Sequence, residues 1–156
     1  VVKHHLPLVL LFDHHWRGVL LQFLTEAAYG CIFYTSFSWL PAYVDRGAHD
    51  MKTRTSVWGV LAGLELYTAV VPLTGRYVND TRVPKVRAYL AAIALVAVAI
   101  MPVMLVIETG HAVGVWLLLP LLLALCGVFA GCMTTIGPQI YPPAVRATGY
   151  NFSHNL

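Results

Sequence analysis

Apolar runs of membrane length alternate with short polar stretches along this chain. Residues 57–73, 88–107 and 113–137 are nearly continuous in apolar side chains, and residues 18–44 form a run of similar length dotted with polar ones. A bilayer crossing takes roughly 20 predominantly apolar residues. The pattern predicts four spans, at about 18–44, 56–73, 88–107 and 113–137, and the start of another helix at 147–156. Polar connections fall at 45–55, 74–87, 108–112 and 138–146. Pro41 is expected to bend or stop the first span beside the interfacial aromatics Trp39 and Tyr43, and Pro72 to close the second. Residues 1–17 carry Lys3, His4, His5, Asp13, His14, His15 and Arg17 around an apolar patch too short to cross. That mixture suits a linker or an interfacial helix at the membrane surface.

Composition narrows the fold class. Of 156 residues, 58% are hydrophobic and 11% charged, whereas a soluble domain is about a quarter charged. The chain reads as an all-α integral membrane protein, a multi-span helical bundle in the lipid bilayer. It starts at Val1 rather than Met and stops inside a new apolar-compatible segment, so it is expected to be a fragment cut at both ends. No signal-peptide pattern opens it. Cys31, Cys126 and Cys132 lie in apolar runs without ligand spacing and are expected to be buried fillers. The net charge of +3 calls for no nucleic-acid partner, because membrane orientation accounts for where the basic residues fall.

Lys and Arg near span ends stay on the cytoplasmic side. Alternation puts Lys3, Arg17, Arg76, Arg82, Lys85, Arg87 and Arg146 on one side, and Arg46, Lys52 and Arg54 on the other. The excess predicts that the start of the chain and the loops 74–87 and 138–146 are cytoplasmic, in a multi-pass protein of the plasma or inner membrane.

The spans differ in their faces. In the first, Gln22, Glu26, Tyr29, Phe33 and Ser36 are spaced by four, three, four and three residues, which forms one stripe at 3.6 residues per turn. A polar stripe avoids lipid and faces other helices or an aqueous cavity. Glu26 lies about two turns inside. An ionisable group there is costly and marks a functional candidate, the alternative being a structural carboxyl bonded to a neighbouring helix. Glu65 sits mid-way along the second span with Thr68 and Pro72 on its face and suits a buried, paired support role. Gly59 and Gly63 point the other way, and small residues at that spacing let two backbones approach closely. Gly127 and Gly131 form a second such packing face. The third span is apolar all round and is expected to lie at the periphery.

Known site chemistries find no match. His14 and His15 lack the third histidine of a di-iron cluster, and there is no Ser/His/Asp set, P-loop or CxxC pair. No metal, cofactor or enzymatic activity is expected.

Residues 140–155, IYPPAVRATGYNFSHN, resemble the loop and helix start before the eleventh helix of major facilitator superfamily transporters, most closely the metabolite:proton symporter branch. Pro143, Val145, Arg146, Ala147, Thr148, Gly149, Ser153 and Asn155 carry that likeness. Pro7-Leu8 with Asp13–Arg17, and the run Phe33–Tyr43, are similar to that family's approach to and end of helix seven. The resemblance implies a partial C-terminal half of such a fold: helices seven to ten and the start of eleven, with the third span here as the peripheral ninth helix. It also implies a gate at the cytoplasmic loops. Asp80, Arg82 and Arg146 are the gate candidates, although Asp80 stands one place late and Thr81 replaces an expected Arg.

The expected function is secondary active transport by alternating access: proton-coupled uptake of a small polar solute, completed by the missing N-terminal half of the same chain. Burial favours a protonated carboxyl and hydration an ionised one, so alternate exposure couples protons to movement. Glu26 and Glu65 are the proton-coupling candidates, with Glu26 favoured. Gln22, Tyr29 and Ser36 are candidates for the solute cavity. A non-transporting membrane scaffold or sensor is the alternative, and an intramembrane enzyme a weaker one.

Overall fold

The computed structural model describes residues 7–47, 53–81, 84–109 and 112–155. All elements among them are helical. α1 (Pro7–Tyr34) continues through a π turn (Thr35–Trp39) into α2 (Leu40–Gly47). α3 (Thr53–Asp80), α4 (Lys85–Glu108) and α5 (Ala112–Ile136) follow, then a 3₁₀ turn (Gly137–Ile140) and α6 (Arg146–His154). Among the described residues, three stretches are long and apolar enough to cross a membrane: Val57–Asp80, Lys85–Glu108 and Val113–Ile140. The chain is thus a membrane-embedded multi-helix protein. α1 was expected to supply a fourth span but is not among the three. Its length suffices, yet Arg17, Gln22 and Glu26 dilute its apolar content.

α5 is the hub. α3 packs along one flank of it and α4 along another, and much of its own second half, Ala130 to Met133 above all, is buried. At one end, Leu40 and Val44 of α2 meet Val103 and Ile107 of α4 and Val115, Leu119 and Leu122 of α5. At the other, Val78 of α3 and Ala92 and Val96 of α4 close on Cys126, Phe129 and Met133 of α5. The opposite side of α4, with Leu90, Leu95, Val98, Met101 and Leu105, is exposed. One flank of this helix packs and the rest is free for lipid.

The α3–α5 seam is built from small residues. A Cβ on Gly131 would stand 2.6 Å from the Val71 carbonyl oxygen, and one on Gly127 would stand 3.1 Å from that of Tyr67. On the facing helix, a Cβ on Gly63 would run into the Leu123 side chain, while one on Gly59 would make an ordinary 3.5 Å contact with Leu119. Both glycine pairs therefore serve one interface, on the side of α3 turned away from Glu65. Without a hydrophobic drive between helices in lipid, close backbone approach is the main source of attraction.

Several expected boundaries move. α3 does not end at Pro72 but runs on to Asp80, and α4 begins at Lys85, so most of the expected 74–87 loop is helix. The reason is continued packing: Val71, Thr74, Gly75 and Val78 keep helical spacing along α5 beyond the proline, with Thr135 Oγ1 3.5 Å from the Gly75 carbonyl. Pro72 itself is exposed, on the side away from α5. Pro84, which lacks an N–H, then precedes the first turn of α4. Pro41 likewise fails to stop its helix. The chain passes it with a wide turn in which the Leu40 N–H bonds the Thr35 carbonyl, which makes room for a ring that would clash in a regular α turn. α1 starts at Pro7, inside the expected surface segment, and departs from helical geometry at His15 (φ −129°, ψ 18°), two residues before the expected boundary. Cys126 and Cys132 are buried as expected, but Cys31 is exposed. It lies on the side of α1 opposite the polar stripe.

Candidate functional site

Gln22 begins the site. It is fully buried, and a buried amide without partners costs a few kcal/mol. Gly137 makes its place, because a Cβ there would stand 2.9 Å from Gln22 Nε2. That nitrogen donates to Glu26 Oε1 at 2.8 Å, one helical turn on. Gln22 Oε1 has no hydrogen-bond partner among the described residues. The same Glu26 oxygen lies 3.0 Å from His154 Nδ1 of α6. Glu26 is only 10% exposed, whereas His154 is 47% exposed. The imidazole stacks on Tyr150, with ring centroids 5.6 Å apart at 12°. α6 is thus tied to α1 by a carboxylate–histidine contact.

A cavity of about 80 Å³ opens beside this contact. Glu26, Tyr29, Tyr67, Thr134, Tyr150 and His154 line it, contributed by α1, α3, α5 and α6. The Tyr29 and Tyr67 hydroxyls are 2.5 Å apart, and Tyr29 also leans on Phe129 at 5.8 Å. Phe33 and Phe37 extend this aromatic layer from α1 to Tyr67.

Of the residues proposed from the sequence, the structure brings Glu26 and Tyr29 to the cavity and puts Gln22 behind Glu26 as its donor. Ser36 goes elsewhere. It is buried in the π turn with Oγ 3.5 Å from Cys126 Sγ. Glu65 is exposed and lies away from α5 with Thr68, whose hydroxyl is bonded to the Leu64 carbonyl. The buried, paired role expected for Glu65 is therefore not the one it has among the described helices. Asp80 is exposed at the last turn of α3, and Arg82 lies outside the described residues.

Sequence reasoning passed over His154, Tyr150 and Tyr67. The four-residue spacing of Tyr150 and His154 was visible, but nothing in it indicated that α6 would fold back onto α1. That approach depends on Tyr141, which is fully buried. Its ring fills the space left by Gly149, where a Cβ would stand 2.7 Å away. Ser153 Oγ donates to the Gly149 carbonyl at 2.9 Å, which leaves the Tyr141 hydroxyl to donate to Ser153 at 2.8 Å. Burial pushes the Tyr141 phenol above its ordinary pKa, although its bond to Ser153 opposes this. Arg146 Nε donates to the Tyr141 carbonyl at 3.3 Å, at the end of the 3₁₀ turn.

Arg146 therefore steadies the turn from which α6 departs. A single guanidinium–carbonyl bond at an exposed side chain is worth about 1 kcal/mol, or roughly five-fold in a rate it limits. Arg146→Ala is expected to lower solute uptake by the full-length protein by about that factor. Arg146→Lys should fall between, since a point charge does not reproduce the planar fork. Wild-type uptake by Arg146→Ala would remove this role.

These features define a class: a membrane-embedded helical bundle with a carboxylate held at a small cavity between helices, whose walls are mostly aromatic and apolar, Val71, Ala130 and Met133 among them. The comparison with known proteins agrees. The chain is 25% identical over 153 residues to the ectoine/proline transporter ProP of Corynebacterium glutamicum, a match covering 97% of this chain. It spans 29% of that relative's length. The chain thus resembles a C-terminal part of a major facilitator superfamily transporter, and its relative is a transporter rather than an enzyme. No protein-family model matches the chain. No solved structure matches it either.

Proposed function

We propose that this chain is part of a secondary active transporter that takes up a small polar metabolite together with protons by alternating access. The observation that carries this reading is the likeness to a transporter along 97% of the chain. The site gives it chemistry. Glu26 is a titratable group facing a cavity, bridged to a second helix by His154, so a shift of α6 against α1 changes what the carboxylate touches. Such a contact links protonation to helix movement. Solute and proton bind at the cavity near the middle of the bundle, and the remaining helices of the transporter close it from the opposite side. The protein lies in the plasma or inner membrane. The test is uptake by the full-length protein in proteoliposomes, with ectoine and proline as first solutes, with and without a proton gradient. Accumulation only with an inside-alkaline gradient is expected. Uptake that ignores the gradient would remove the coupling, and no uptake of any polar metabolite would remove the transport reading.

The start of α4 and the 3₁₀ turn after α5 share one end of the bundle, where Lys85 Nζ donates to Gln139 at 2.7 Å. We place that end in the cytoplasm, from the distribution of Lys and Arg. In a variant lacking the exposed Cys31, a cysteine at Asn79 should resist an impermeant thiol reagent applied outside cells, and one at Thr109 should react. The opposite pattern would invert the topology.

A further inference from the structure

A second cavity, of about 300 Å³, lies between α1, α4 and α5, with Leu21, Gln22, Val86, Tyr89, Met133 and Ile140 among its walls. Gln22 and Met133 are buried, while Leu21 and Val86 are exposed. The cavity therefore has a closed floor and opens sideways, toward lipid. α1 and α4 do not pack closely against each other. The seam between them runs on into a groove of about 220 Å³ lined by Cys31, Thr35, Ile93 and Ala97. Val86 to Ala97 spans about 16 Å of helix, and one leaflet takes about half of the roughly 30 Å hydrocarbon core. The seam is as long as one acyl chain is deep. Its outer end is basic. Arg17 stands one turn before Leu21 on α1, and Lys85 one turn before Tyr89 on α4. Lys85 also bonds Gln139, the neighbour of Ile140. Asp13 lies beyond the bend at His15.

We propose that an anionic phospholipid of the cytoplasmic leaflet seats one acyl chain in this seam, with its phosphate held by Arg17 of α1 and Lys85 of α4. The inference stands beside the transport reading. It rests on the topology placed above, which thiol labelling at Asn79 and Thr109 tests separately. Anionic lipids face the cytoplasm, and basic pockets between helices on that side hold their headgroups. The tail gains little by leaving its neighbours, because lipid is as apolar as the seam. Headgroup charge therefore decides which lipid stays. The seated chain also backs Gln22, which stands between this cavity and Glu26. The Gln22 amide donates to Glu26, and its Oε1 has no partner among the described residues. A filled seam keeps that donor in place.

Cys31 reports on the seam, since it is exposed and lines the inner groove, while Cys126 and Cys132 are buried. The test alkylates delipidated full-length protein in neutral detergent with a small apolar maleimide and reads the Cys31 peptide by mass spectrometry. Added dioleoylphosphatidylglycerol should slow the reaction several-fold. Dioleoylphosphatidylcholine, with the same chains and no net charge, should protect only at much higher concentration. Arg17→Gln and Lys85→Gln should each raise the phosphatidylglycerol concentration needed by about five-fold. Val86→Trp plugs the outer mouth from an exposed position and should abolish protection without changing the rate in the absence of lipid. Equal protection by the two lipids would overturn the site, as would protection that survives Val86→Trp or the loss of both cations. A Cys31 that reacts only after denaturation would also overturn it, because another helix of the full-length chain would then cover the seam. Each of these results leaves the transport reading intact, since no solute takes part.

Discussion

Glu26→Gln in the full-length protein should abolish uphill, pH-driven accumulation while leaving exchange of saturating solute at equal pH. The substitution keeps the side-chain size and a carbonyl oxygen that can still accept from Gln22. It removes the one titratable carboxyl facing the cavity among the described residues, and with it the carboxylate opposite His154. The accumulation ratio should therefore fall to unity, and external acidification should no longer speed uptake. A loss of both activities with normal folded yield would move Glu26 from coupling to the translocation step itself. Accumulation with wild-type pH dependence would show that the coupled proton is carried elsewhere. Glu65→Gln offers the contrast. Its side chain is exposed and turned away from the α3–α5 seam, so the folded yield of that variant should be unchanged.

Gly131→Ala should be the most damaging single-methyl substitution in the bundle, and Gly59→Ala close to neutral. At Gly131 the added carbon meets backbone, the Val71 carbonyl oxygen at 2.6 Å and the Gly75 nitrogen at 3.2 Å. Neither can move without separating α3 from α5. At Gly63 the obstacle is the end and stem of the Leu123 side chain, which can rotate in part. At Gly59 the contact with Leu119 is ordinary. Overpacking costs about 1–3 kcal/mol where side chains can yield and more where backbone must. The melting temperature in detergent should fall in the order Gly59→Ala, Gly63→Ala, Gly131→Ala. Gly63→Leu should lose more folded protein than Ala62→Leu, since Gly63 is buried and Ala62 only half-buried. Equal stability for Gly59→Ala and Gly131→Ala would show that the seam is looser than this geometry.

Periodicity along the chain was enough to give the membrane class, the number and order of the long helices, the polar stripe of α1 and the faces of the glycine pairs. All of these are properties of one helix at a time: how long an apolar run is, and which side chains share a face. Where α3 stops was not such a property. Pro72 and the charges from Arg76 to Asp80 look like an ending, but contact with α5 through Gly75 and Val78 carries the helix onward. The partners of Glu26 were hidden for the same reason. His154 is 128 positions away, and it arrives only because Tyr141 wedges between Gly18 and Gly149 and turns α6 back against α1. The local sequence around His154 records an imidazole one turn after a tyrosine and nothing of the carboxylate opposite. Sequence by itself determined that Glu26 must face the inside of a bundle, because a carboxylate in an apolar span cannot face lipid. Only the tertiary structure decided what it meets there, because that depends on how closely backbones approach, and close approach is set by side chains absent from both surfaces at once.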